Sequence, residues 1–271
     1  MTDNFKFMNI KKFLELHLLM KFFVDKKSVV REIWGKGDTI LFIFAGASAE
    51  FALNKAVDWL YFTGRLPADP LGRLFSTVTY ARQIVFSEIN DAFRAIDNIT
   101  AIHRAVEVNR EAKIPDWAYR DVLFMLIAYS VSSYELLERR LTTDEKEEVF
   151  NVFYRVGVRM GLNDLPVNYS HWVVMRDLHL QQDLIKSNFT IDLYKQYKFH
   201  LGIVRYQLLL EAQKLVVPEK VNGLLQFNKF SLLKPILFLY KITRMCKLDW
   251  VLKSIILPKE YKAEIKKLDI V

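Results

Sequence analysis

Apolar residues recur at helical spacing along most of this chain, and short polar or Gly/Pro-containing stretches cut that pattern into segments. Residues 1–24 read as an amphipathic helix, with Phe5, Met8, Ile10, Phe13, Leu16 and Met20 largely on one side, either a cap on the core or, as the lesser alternative, a helix lying on a membrane surface. A polar break at Asp25, Lys26 and Lys27 and a turn at Gly35–Asp38 precede the most hydrophobic segment, Thr39 to Thr63, which predicts a buried helix. Its uncharged run ends at Glu50, well short of the ~20 apolar residues that span a bilayer. Asp69 before Pro70 is an N-cap followed by proline at the first helical position, so a new helix begins near Pro70. In the next segment Ile96, Ile99, His103 and Val106 keep the core period of a helix.

Further on, Lys113–Asp116 is a turn, and Trp117 to Leu141 predicts a helix rich in aromatic and hydroxyl side chains. Thr142 to Glu145 supplies a cap and an acidic first turn for a helix through Met160, which Gly161 ends. Asn163–Pro166 is a loop, and another helix begins at Tyr169.

Composition narrows the class. Hydrophobic residues make up 52% of 271, with only 9 Gly and 7 Pro, which fits long helices and few turns. The fold class is therefore all-α, a single multi-helix domain, globin-like in helix content. One cysteine, Cys246, excludes an internal disulfide framework and a thiolate metal cluster, and fits a reducing, cytoplasmic compartment. The net charge of +8 is concentrated late in the chain. From Lys214 on, eleven lysines and one arginine face five acids, so seven of the eight net charges fall there among apolar runs. That tail reads as a solvated lysine face over packed helices, or as a peripheral contact with an anionic membrane. No nucleic-acid-binding signature accompanies it. Phosphate-binding, dinucleotide-binding, zinc-protease and serine-hydrolase motifs are missing, and no His has a Glu three positions before it, as a ferritin-like di-iron bundle needs.

Candidate chemistry lies between Gly64 and Val106. Arg73 and Thr77 stand one helical turn apart on one face. His103 puts an imidazole in an apolar stripe, where it is either a core histidine satisfied by its neighbours or a metal or haem ligand. The small residues Ala45 to Ala49 allow close approach of a helix or of a flat macrocycle. His171, His179 and His200 stand in polar or ambiguous surroundings and read as surface or loop residues.

Asp69-Pro70-x-x-Arg73-x-x-x-Thr77, then His103-x-x-Val106, then Gly157-x-x-x-Gly161-Leu162-x-x-x-Pro166 resembles the catalytic domain shared by MpaB-type oxygenases and latex-clearing proteins. The resemblance runs from about Thr39 to a Leu257-Pro258-x-x-Tyr261 ending. It implies an all-helical domain with a b-type haem in a pocket between central helices, His103 as proximal iron ligand, and Arg73 and Thr77 in that pocket as cofactor-binding and catalytic residues. Ser76 stands where latex-clearing proteins carry a lysine able to cap the iron, so a closed, lysine-ligated state is not expected. Asp58 lies in the segment where those enzymes carry an acidic base. Residues 39–213 would form the haem-binding core, with helices of 1–38 capping it and the basic, apolar helices of 214–271 packed on the same domain.

The resulting expectation is a haem b-dependent oxygenase that uses dioxygen on an apolar small molecule, by resemblance at a carbon–carbon double bond of an isoprenoid or unsaturated lipid. A non-catalytic helical protein that binds lipid or a membrane surface is the alternative, and a haem sensor is a third.

Overall fold

Local capping chemistry sets where many of the helices begin. A computed structural model describes residues 21–63, 69–228, 230–235, 237 and 240, and for Leu60, Thr63, Pro70, Leu71, Arg73, Leu74 and Phe75 the backbone alone. Helix α1 spans Val29–Gly35, α2 Gly37–Phe51, α3 Val57–Thr63, α4 Pro70–Phe86 and α5 Ile89–Arg110. Helix α6 spans Asp116–Leu137, α7 Thr143–Met160, α8 Tyr169–Gln182, α9 Asn188–Val216 and α10 Glu219–Leu225. Among the described residues there is no β-strand, and two isolated bridges, Phe22 with Glu88 and Asn54 with Leu184, are the only sheet-like pairings. Asp69 accepts from the Gly72 N–H at 2.8 Å and opens α4, as its place before Pro70 requires. Thr142 and Glu145 close a reciprocal capping box on α7, and Gly161 ends that helix at φ 79°, where a Cβ would be strained.

The core gathers around α2 and α6, which pack along each other, with α9 against α2 and α7 against α6. Trp34, Tyr129, Tyr134 and Phe150 are almost fully enclosed in it. Burial of large side chains such as these is worth roughly 1.5–3 kcal/mol each. Gly46 of α2 is the point of closest approach: a Cβ there would come within 2.2 Å of the Tyr129 ring. At Gly46 the small-residue run of α2 therefore seats a tyrosine from α6.

The Thr39–Thr63 segment is not one helix. It stops at Phe51 and resumes at Val57, because Asn54 turns the chain with its own side chain, whose Oδ1 accepts from the Ala56 N–H at 2.8 Å. The opened backbone pairs with the end of α8 instead. Ile185 N–H donates to the Leu53 carbonyl at 2.7 Å, and Lys55 N–H to the Asp183 carbonyl at 2.9 Å. That break brings the C-terminal end of α2 against the C-terminal end of α8. Residues 1–20, expected as an amphipathic helix, and residues 241–271 of the basic tail lie outside the described residues. No described helix is long and apolar enough to cross a membrane.

Candidate functional site

Two neighbouring arrangements of polar side chains bear on function. The first is the hairpin of α4 and α5. These helices pack on each other across a two-residue connection, Ser87–Glu88, and so run antiparallel. Arg73 lies fourteen residues before Ser87 and His103 fifteen after Glu88, so at 1.5 Å per residue their backbones reach the same level of the hairpin. Thr77 lies one turn nearer the connection and is half-buried, while the Arg73 side chain lies outside the described residues. On α5, Ile96 is fully buried, and Ile99, His103 and Val106 are half-buried along the same stripe. The His103 ring meets Tyr119 of α6 edge-on, with centroids 5.1 Å apart. Tyr119 in turn donates its hydroxyl to Glu107 at 3.3 Å. Asp58 is engaged by Arg110, at the last residue of α5, at 2.7 Å, and that guanidinium lies 4.0 Å over the Trp59 ring. A carboxylate held in such a pair is an anchor for α5 more than a poised base.

The second arrangement is a buried ionic network beside the α2 break, and it was not anticipated. Glu50 of α2 is wholly enclosed. Arg176 of α8 donates from both guanidinium nitrogens to its two oxygens, Tyr129 of α6 donates its hydroxyl at 2.7 Å, and His179 Nε2 lies 2.9 Å away. Beyond His179, its Nδ1 stands 2.6 Å from Asp121 Oδ1 and 3.5 Å from Asp183 Oδ2. Asn54 donates to the other Asp121 oxygen at 2.9 Å. Burial alone would raise the Glu50 carboxyl, but Arg176 and then His179 hold it down, to about 2. Burial pulls His179 down, and Asp121 with Glu50 push it up further, to about 9. Asp121 stays above the usual carboxylate range, mainly because it is buried.

His179 is only 3% exposed, which corrects its reading as a surface or loop residue; His171 and His200 are exposed, as expected. The signal was present in the spacing. Trp172, Arg176, His179 and Asp183 fall at i, i+4, i+7 and i+11, the same core period that singled out His103. Polar residues on a core stripe must find partners, and here those partners come from α2 and α6.

The described residues thus form an all-helical domain with a half-buried histidine on a helix hairpin. The chain belongs to the family described as ER-bound oxygenase mpaB/B'/Rubber oxygenase, catalytic domain, whose family model matches residues 34–183. That segment contains Arg73, Thr77 and His103 as well as the whole Glu50 network, and membership supports an enzyme with an oxygenase role. The matched segment stops at Asp183, short of the Leu257–Tyr261 ending, which lies outside the described residues. No curated protein and no solved structure matches this chain.

Proposed function

We propose that this chain is a haem b-dependent oxygenase acting on an apolar substrate, with His103 as the proximal iron ligand and Arg73 and Thr77 in the haem pocket. One observation carries the reading: His103 sits on an apolar, half-buried stripe at the level of Arg73 on the adjoining antiparallel helix. The residues fit the group. Among the described histidines, His171 and His200 are exposed and His179 is enclosed by carboxylates, whereas a haem wants an imidazole on an apolar wall.

When bound, haem supplies the iron chemistry toward dioxygen, and the protein supplies binding, orientation and exclusion of water. Tyr119 fixes the His103 ring edge-on, and Ile96, Ile99 and Val106 keep the surroundings apolar. A guanidinium such as that of Arg73 is suited to pair with a propionate carboxylate, and Thr77 stands half-buried one turn away. Ser76 stands where a lysine could cap the iron, so a lysine-capped state would not be expected of a haem held here. Family membership supports dioxygen and a small-molecule substrate; by the same resemblance the substrate class is an isoprenoid or unsaturated lipid, cleaved or oxygenated at a carbon–carbon double bond. Residues 39–213 form the haem-binding core on this reading.

The test is the visible spectrum of the purified protein, with haem quantified as its pyridine complex and His103→Ala alongside. A Soret band that is lost in the variant, followed by incorporation of label from isotopic dioxygen into an unsaturated lipid, supports the assignment. A colourless protein that also refuses added haemin removes it.

Besides the basic C-terminal region 214–271, we propose a peripheral membrane contact on α9. Helix α9 is kinked at Gly202, φ 71°, and the kink carries Phe199 at 80%, Ile203 at 70% and Val204 at 74% exposure. Lys195, Lys198 and Arg205 flank it, so the knuckle joins apolar anchors to positive charge, as docking on an anionic lipid surface requires. The family description includes ER-bound oxygenases. Phe199→Asp is expected to reduce sedimentation with anionic vesicles several-fold; unchanged sedimentation would contradict this contact.

A further inference from the structure

The carboxylates around His179 form more than a structural ion pair. His179 is 3% exposed, and its Nδ1 is fully shielded, 2.6 Å from Asp121 Oδ1 yet without a hydrogen bond of regular geometry. A buried ring nitrogen pressed against two carboxylates without an aligned hydrogen bond needs an explanation.

The neighbours supply one. Nε2 is committed to Glu50 at 2.9 Å, and Glu50 is itself held by Arg176 and Tyr129. An imidazole that keeps one N–H on a carboxylate can give up its other proton to an incoming cation and bind it through the freed lone pair, which is how metal-binding histidines are oriented. Asp121 is prepared in the same way: Asn54 occupies its Oδ2 and leaves Oδ1 directed at His179. Asp183, four residues after His179 on the same helix end, brings a third donor. The three ligand atoms lie within 4.8 Å of one another, a spacing a single cation can bridge. Asp121 and His179 are buried, while the Asp183 side chain is 24% exposed and opens the cluster to solvent, which gives an ion a way in.

We propose that Asp121, His179 and Asp183 bind a divalent cation, separate from the haem assigned to His103. One imidazole nitrogen and two carboxylate oxygens suit the borderline ions of the first transition row, Mn²⁺, Fe²⁺, Co²⁺ or Zn²⁺, with remaining positions taken by water. The ion ties α6 to the C-terminal end of α8, and through the Lys55–Asp183 backbone contact to the break that follows α2. It is also physically distinct from the hairpin. Tyr119, which meets His103, and Asp121 are two residues apart on α6 and do not share a face.

The test uses full-length, tag-free protein stripped with chelator and titrated with Co²⁺, read by its visible d–d absorption and by metal analysis after gel filtration. Wild type is expected to take up about one Co²⁺ per chain, and Asp183→Ala, whose change is at the rim of the core, to lose at least tenfold in affinity while keeping its helical circular dichroism. Asp183→Asn serves if the alanine variant does not fold, with the same loss expected. Asn54→Ala, which frees Asp121 Oδ2, should weaken binding ~10–100-fold, as for other residues that orient a ligand. His103→Ala should bind Co²⁺ as wild type does. Absence of saturable uptake by wild type, or wild-type affinity in a folded Asp183 variant, would overturn the site.

Discussion

Glu50 carries no exposed surface and holds Arg176, Tyr129 and His179 together, so its removal leaves a guanidinium with no counter-charge in the core. Breaking one partner of such a pair costs ~3–5 kcal/mol, whereas replacing both partners by apolar residues is often neutral. Glu50→Ala is therefore expected to lower the urea unfolding free energy by about that amount, and Glu50→Leu with Arg176→Met to recover most of it. Equal losses in the single and double variants would show that the pair is not the reason for the loss. At Gly46 the constraint is steric. A methyl group would overlap the buried Tyr129 ring, which its hydroxyl bond to Glu50 prevents from turning away. Gly46→Ala should cost ~1–3 kcal/mol, the usual range for overpacking, and a variant as stable as wild type would mean that α2 and α6 can part.

At the scale of elements, what could be read from the chain was what neighbouring residues decide among themselves. Asp69 with Pro70, Thr142 with Glu145, and Gly161 each act within one turn, and each stands in the structure where its spacing put it. The break after α2 was hidden for the opposite reason. Asn54 is one residue in a hydrophobic run, and its effect depends on Asp183, Leu184 and Ile185, more than a hundred positions later. The spacing of Trp172, Arg176 and His179 does mark a core stripe, but the partners of His179, Glu50 and Asp121, come from two other helices and are not legible locally. Local caps also predict local costs. Thr142→Ala removes one half of the α7 capping box and should destabilise by ~1 kcal/mol, seen as a lower denaturation midpoint with an unchanged urea slope. A changed slope would mean that more than the cap had been lost.

For the whole molecule, the central arrangement is α6 standing between two histidines of different character. On one side Tyr119 meets His103 in an apolar, half-buried setting; on another, Asp121 meets His179 in a carboxylate cage. The first setting suits a haem iron, the second a bare cation, and the account rests on that division of labour. The measurement that tests it most directly is haem content by pyridine complex, with the Soret spectrum, for wild type, His103→Ala and His179→Gln after the same haemin reconstitution. The account predicts a Soret band and near-stoichiometric haem in wild type and His179→Gln, and loss of both in His103→Ala. Haem retained by His103→Ala and lost from His179→Gln would contradict it.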